Sequence, residues 1–358
     1  MHGKNLVRAM KLLNPSIRFR GVGGDGLHSE GMALVRHIRD TNFMGFVQVV
    51  QNIFSIQRLF RDIKADIQEW KPDVVILIDY PGFNLRMAKF IHELGIKVHY
   101  YISPQIWAWK KSRIVQIKAY VDHMFPILPF EQEFYKNEGM DVDYCGHPLL
   151  DEMSARVYKS AEIKAAVAPD GECIVALLPG SRKQEVARML PRMLKMIEHF
   201  PDAKFVVAGA TTLDESYYQQ VMEGAPVPLV MGRTYDVLAA ADYALVTSGT
   251  ATLETALMRI PEVVCYHANG LSVWIARKLI KVKYISLVNL IMDREVVREL
   301  IQQDLTELNL LAELQKLMDP AHKRTLLSDY QALREKLGNE GASGRVAAKM
   351  LGYLEKGE

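Results

Sequence analysis

The sequence predicts an α/β protein made of two Rossmann-like, doubly wound domains, and three observations lead there. At 358 residues the chain is longer than the size at which one hydrophobic core keeps growing. Short runs rich in Val and Ile alternate with amphipathic stretches nearly from end to end, the order that builds parallel sheets covered on both faces. A polar segment, Asp151–Gly171, with Pro169-Asp170-Gly171 as a turn, divides this pattern into two halves.

The elements follow in order. The chain opens in a helix over Gly3–Leu13 and continues into a strand at Arg18–Val22. The unbroken apolar runs Asp73–Tyr80, Lys97–Ile102, His123–Leu128 and Val142–Gly146 read as the strands of the first half. Cys173–Leu178, Lys204–Ala208, Tyr243–Thr247 and Glu262–Tyr266 read as those of the second. Helical periodicity lies between them over Asn84–Leu94, Arg113–Ala119, Gln184–His199 and Thr250–Met258. The expected domains are 1–160 and 161–335, with a final helix, 336–358, returning to the first domain or reaching a partner subunit.

Composition removes several function classes. Lys and Arg number 44 and Asp and Glu 42, which gives no field that argues for nucleic acid. Three scattered cysteines, Cys145, Cys173 and Cys265, with no Cys-x-x-Cys or His-Glu-x-x-His run, argue against a disulfide framework or a zinc site and for a reducing compartment. No run reaches the roughly 18 apolar residues of a membrane span and no signal peptide is visible, so a cytoplasmic location is expected.

Several turns at strand ends carry chemistry. Pro179-Gly180-Ser181-Arg182 follows the strand CIVALL; a Gly turn, a hydroxyl and a forked guanidinium suit a diphosphate, although a solvated surface turn would look the same. Ser248-Gly249-Thr250-Ala251-Thr252-Leu253-Glu254 follows YALVT and lets backbone amides approach a phosphate at a helix N-terminus. Glu254 lies about one turn in, where a carboxylate could hold two ribose hydroxyls; an ordinary helix start is the plainer reading. Asp79 ends the strand DVVILID before Tyr80-Pro81-Gly82-Phe83-Asn84, as a general base or as a turn aspartate. Trp107 and Trp109 in Ser103–Lys110 offer a platform for a sugar or acyl chain, or sheet-to-loop packing. Phe43–Asp62 carries Met44, Val47, Val50, Phe54, Leu59 and Phe60 beside Arg58, Arg61 and Lys64, the marks of a core helix or of one lying in a membrane interface. His147, in Gly146-His147-Pro148, reads as a structural loop residue.

Taken together, RGVGGDGLHSEGM, FMGFVQVV, ILIDYPGFNLRMAK, YISPQIWAWKKSR, DHMFPILPFEQEFY, YCGHPLLDE, LLPGSRKQEV, VTSGTATLETALM and YISLVNLIMDREVVRELIQ resemble the lipid-A-disaccharide synthases over nearly the whole chain. The resemblance implies a GT-B fold with a cleft between its domains. It also implies transfer of 2,3-diacylglucosamine from its UDP-sugar to 2,3-diacylglucosamine 1-phosphate, with inversion and release of UDP. Acceptor binding would fall to the first domain and UDP binding to the second. The aspartate of the family's I-D-x-P-x-F-N motif falls on Asp79, the implied base for the acceptor 6-hydroxyl. The P-G-S-R turn falls on Ser181 and Arg182, and the S-G-T-A-T-L-E run gives Ser248, Gly249, Thr250, Thr252 and Glu254. Asn289 and Glu299 match two further motifs, in which Val288 and Arg298 replace prolines.

No Asp-x-Asp pair is placed to suggest a metal bridging the diphosphate, so no cofactor or metal is expected. Peripheral association with the cytoplasmic surface of the inner membrane and a homodimer are implied. The rival readings are a UDP-sugar 2-epimerase and a non-catalytic UDP-sugar-binding protein. The family begins with a strand and a Gly-Glu-Ala-Ser-Gly-Asp loop ahead of Leu-His-Gly. Here Met1-His2-Gly3 stands at that tripeptide, so in-frame upstream codons for such a strand and loop are expected.

Overall fold

A computed structural model of the protein describes residues 2–41, 53–268 and 283–357. The chain forms two compact units, one from Met1–Ser154 together with Gly338–Glu358, the other from Ala155–Leu337.

In the first unit, β1 (Arg20–Gly23) and β2 (Ala33–His37) pair in parallel. A separate parallel sheet holds β3 (Val74–Ile78), β4 (Lys97–Tyr101) and β5 (His123–Phe125), in that order. Strand alternation sends neighbouring side chains to opposite layers. Val98 and Tyr100 of β4 join Leu77 and Met124 in a core with Ile91 and Ile117 from the helices Pro81–Glu93 and Ile114–Tyr120. Tyr101 faces the other layer, with Leu6 and Met10 of the first helix, His2–Leu13, and Val346, Ala347 and Met350 of the last, Ala342–Lys356. Burying each such large side chain contributes about 1.5–3 kcal/mol. The last helix is capped from far upstream. The Asp151 carboxylate accepts from the amides of Gly341, Ala342 and Ser343 at 2.5, 3.1 and 2.8 Å, donors that a helix N-terminus otherwise leaves unpaired.

The expectation of a strand at Val142–Gly146 is corrected: the segment runs as an irregular chain. Asp143 makes one strand-like bond, its amide to the Met124 carbonyl at 2.9 Å, and Gly146 then turns the backbone away at φ 98°. The helix expected over Gln184–His199 is α-helical for Lys183–Leu194 and tightens to a 3₁₀ helix over Lys195–His199. In the Phe43–Asp62 segment, Leu59 is buried and Phe60 stacks on Phe83 at 4.1 Å, so both belong to the core. Met44, Val47 and Val50 lie outside the described residues, as does the side chain of Phe54. Among the described residues no helix is long and apolar enough to cross a membrane.

Among the described residues the second unit holds six parallel strands, β6 (Cys173–Leu178), β7 (Ala203–Gly209), β8 (Leu229–Met231), β9 (Tyr243–Thr247), β10 (Glu262–Tyr266) and β11 (Arg298–Ile301). Their spatial order is β11-β10-β9-β6-β7-β8. The chain builds outward from β6 through β7 and β8, then returns to pair β9 with the other edge of β6. The order therefore reverses between β6 and β9, and open α/β sheets bind ligands at such a point, beyond the carboxyl ends of the strands. At the opposite, amino end of β10, Glu262 is wholly buried and neither carboxylate oxygen has a hydrogen-bond partner among the described residues. Burial pushes its pKa well above the usual carboxylate value.

Candidate active site

In the first unit, Asp79 follows directly on β3. Both Asp79 and Tyr80 take left-handed backbone, φ 48° and 45°, a costly pair for residues other than glycine. The turn is held from several sides. The Asp79 amide donates to the Tyr101 carbonyl at 3.0 Å. Its own carbonyl accepts from the Tyr100 hydroxyl at 2.6 Å and from Asn84 Nδ2 at 2.7 Å. Asn84 Nδ2 also reaches the Ile78 carbonyl at 3.0 Å. The residue as a whole is exposed. Crowding by neighbouring protein atoms nevertheless raises its pKa, against a backbone hydrogen bond from Tyr80 that lowers it. A somewhat more basic carboxylate on a fixed, exposed turn suits proton abstraction.

The loops after β4 and β5 are joined by Glu131, a residue the sequence reading passed over. It is buried, and its carboxylate accepts from Ser103 Oγ (2.5 Å), Trp107 Nε1 (3.1 Å) and the amides of Ile127 (3.2 Å) and Leu128 (2.9 Å). Burial raises its pKa to about 7, outweighing the four donors, which lower it. Trp107 is thereby fixed against Phe130, ring centroids 4.9 Å apart and perpendicular. His147 proves structural. It is buried, its Nδ1 accepts from the Leu149 amide at 3.1 Å, and burial lowers its pKa to about 3. The sequence Asp141-Val142-Asp143 has Asp-x-Asp form, but Asp143 is taken by Lys349 and Tyr353 of the last helix.

In the second unit, the two expected nucleotide motifs leave adjacent strands at the switch point, Ser181–Arg182 after β6 and Ser248–Thr250 after β9. Gly180 is required where it stands. Its φ is 104°, and a Cβ would lie 2.6 Å from Glu185 Oε2. Glu185 caps the turn, accepting from the amides of Ser181 and Arg182 at 3.1 and 3.2 Å. It also pairs at 2.9 Å with the exposed Arg182 guanidinium. That surface pair is weak enough for Arg182 to be drawn to a phosphate. Gly249 and Thr250 are exposed at the start of the helix Thr250–Leu257, whose first amides face the same edge. Glu254, within that helix, accepts from the Tyr235 hydroxyl at 2.9 Å. Tyr235 in turn carries the Arg156 guanidinium, 4.3 Å from its ring centroid.

Two of the expected ligand-contact residues have buried side chains. Thr252 is fully enclosed and its hydroxyl donates to the Gly249 carbonyl at 2.9 Å, which fixes the helix start. Asn289 is fully enclosed too. Its Oδ1 accepts from the Val296 and Val297 amides (2.7 and 3.0 Å), and its Nδ2 donates to the Val297 carbonyl and to Glu299 (2.8 and 2.9 Å). Glu299 also accepts from the amides of Ile285 and Ser286, and Ser248 Oγ donates to the Ile285 carbonyl at 3.1 Å. Asn289 and Glu299 thus fold the loop against which Ser248 rests.

A family model described as lipid-A-disaccharide synthetase matches residues 1–349 of the chain. The chain is 41% identical to the lipid-A-disaccharide synthase of Syntrophus aciditrophicus, across 100% of its length and 96% of the relative's. It is 36% identical to that of Trichlorobacter lovleyi, covering 99% and 95%. Among solved structures it resembles the glycotransferase of kitacinnamycin, with a TM-score of 0.64 at 14% identity over 98% of this chain and 95% of that one. It also resembles the UDP-GlcNAc 2-epimerase of Neisseria meningitidis bound to UDP-GlcNAc, with a TM-score of 0.58 at 12% identity over 99% and 95%. At such low identity these two likenesses establish the two-domain GT-B fold alone.

Proposed function

Because the chain belongs to the lipid-A-disaccharide synthase family, a family of glycosyltransferases in lipid A biosynthesis, we propose that it joins the sugar of UDP-2,3-diacylglucosamine to 2,3-diacylglucosamine 1-phosphate. The observation that most supports this reading is the pairing of β6 with β9. It sets a guanidinium turn and an exposed helix start side by side, where a diphosphate needs both.

Asp79 takes the proton from the acceptor 6-hydroxyl, and that oxygen attacks the anomeric carbon of the donor from the face opposite UDP. The bond to the diphosphate breaks, UDP leaves with the electron pair, and the configuration inverts. Arg182 and the amides at Gly249–Thr250 receive the charge that develops on the leaving oxygen. Ser181 and Ser248 line the same edge, Glu254 holds the ribose, and Thr252, Asn289 and Glu299 keep the loops in place. Peripheral attachment to the inner membrane, through Val47, Val50 and Phe54 with Arg58, Arg61 and Lys64, brings the enzyme to its acylated substrates.

Incubation of the protein with UDP-diacylglucosamine, with and without the acceptor, tests the proposal. Disaccharide formed only when both are present supports it. An epimerised donor formed without acceptor favours the epimerase reading, and no product with either favours a binding protein.

A further inference from the structure

The loop after β4 carries a second feature at the edge where Asp79 stands. Trp109 is 38% exposed, and two cations rest over its ring: Lys110 Nζ lies 4.9 Å and Arg113 Cζ 5.1 Å from the centroid. Neither cation forms an ion pair among the described residues, whereas Lys111, between them, is bound to Glu138 at 2.6 Å. Lys110 reaches its place through left-handed backbone, φ 54°, at the entry to a short 3₁₀ turn, Lys111–Arg113. Arg113 is half-buried, and its positive charge acts on the Tyr100 hydroxyl. Asp79 acts on the same hydroxyl with the opposite sign, and that hydroxyl donates to the Asp79 carbonyl at 2.6 Å. An acid and a guanidinium therefore both act on one phenol, with no ion pair between them among the described residues.

A guanidinium resting over an aromatic ring keeps its in-plane N–H donors turned outward, in the fork that matches two phosphate oxygens. Being half-buried, it has also given up part of its hydration without gaining a counter-charge.

We propose that Arg113 and Lys110, held against Trp109, form the subsite for the phosphate monoester of the acceptor sugar. This rests on the acceptor reading of Asp79 given above. On a glucosamine ring the 6-hydroxymethyl and the 1-phosphate hang from the two carbons that flank the ring oxygen. A cation on the loop after β4 and a base on the loop after β3 then grip neighbouring corners of one sugar. The phosphate anchors the ring and fixes which hydroxyl meets Asp79.

The test compares the phosphorylated acceptor with its dephosphorylated form, in uncharged detergent micelles. The wild-type protein should use the phosphorylated acceptor with a KM roughly 10–100-fold lower, the size of a charge-assisted contact. Arg113→Gln should erase that preference, Arg113→Lys should keep part of it, and UDP affinity should be unchanged in both. If the wild type shows no preference, or if Arg113→Gln impairs both acceptors equally, the subsite does not exist. A variant effect that appears only when anionic phospholipid is added would assign the two cations to the membrane surface and overturn the proposal. Failure of the wild type to make disaccharide at all would instead overturn the glycosyltransfer reading on which it rests.

Discussion

The Tyr235 hydroxyl donates to Oε1 of Glu254 over 2.9 Å, tying the helix that begins beyond β9 to a residue on the helix before that strand. In the ribose-binding role proposed above, this bond orients the carboxylate toward the two hydroxyls. Glu254→Ala should weaken UDP binding, and Tyr235→Phe should weaken it by roughly tenfold or less, the worth of one hydrogen bond. Calorimetric titration with UDP measures both. Unaltered affinity in Glu254→Ala would reduce the residue to part of a helix start.

Asp79→Asn keeps the shape of the turn and removes the base. Turnover should fall by roughly 10²–10⁴-fold while UDP still binds. Because crowding raises the Asp79 pKa, the acid limb of the wild-type kcat/KM profile should lie above the ordinary carboxylate value, with activity lost as pH falls through it. The residual activity of the variant should lack that limb.

Glu131 predicts a pH dependence of stability. Its folded pKa of about 7 exceeds the ordinary glutamate value of 4.5. Between these values the folded state keeps a proton that the unfolded state has lost, so the contribution to stability falls as pH rises from about 4.5 to 7. Glu131→Gln should flatten that slope. It should also lower stability overall by about 1–3 kcal/mol, since an amide nitrogen would face backbone donors. Urea unfolding followed by tryptophan fluorescence at several pH values reads both effects.

Glu262 gives a prediction of opposite sign. An isolated carboxyl in a dry site lowers stability once the unfolded state ionises, so Glu262→Gln should stabilise the protein at pH 8 by about 1–3 kcal/mol. UDP affinity should not change, because the residue sits at the amino end of β10, away from the strand ends that carry the nucleotide motifs. A destabilised variant would mean that the carboxyl has a partner in solution.

Replacing Val47, Val50 and Phe54 by Ser should move the protein from liposomes to the supernatant in a flotation assay, with the melting temperature retained. Aggregation or a large fall in melting temperature would place these residues in the core instead.

Much of the architecture was legible because parallel strands covered on both faces are written as unbroken apolar runs, and β6, β9 and β10 match theirs residue for residue. The strands that escaped, β2, β8 and β11, all lie at sheet edges; Arg36, His37, Arg298 and Glu299 blur the pattern of β2 and β11, and β8 is only three residues long. Val142–Gly146 misled in the other direction, since a buried loop is as apolar as a strand. The turns bearing Asp79, Arg182 and Ser248 were legible from their place after strands. Motif membership does not record which way a side chain points, so the burial of Thr252 and Asn289 was not legible. Nor does local sequence reveal partners 21 to 28 residues apart, the separations that join Tyr100 to Asp79 and Ser103 to Glu131.

The cap that Asp151 places on the last helix sets an order on biosynthesis. Ala155–Leu337 is one continuous stretch and can fold as soon as it has left the ribosome. The unit containing Asp79 must wait for Gly341–Ser343 to arrive nearly two hundred residues later, and until then Leu6, Met10 and Tyr101 lack the apolar cover of Val346, Ala347 and Met350. A nascent chain therefore completes the continuous stretch Ala155–Leu337 before the unit that contains Asp79 can gain its last helix. Until that helix arrives, the first unit presents a bare hydrophobic face, the kind of surface that chaperones and proteases recognise.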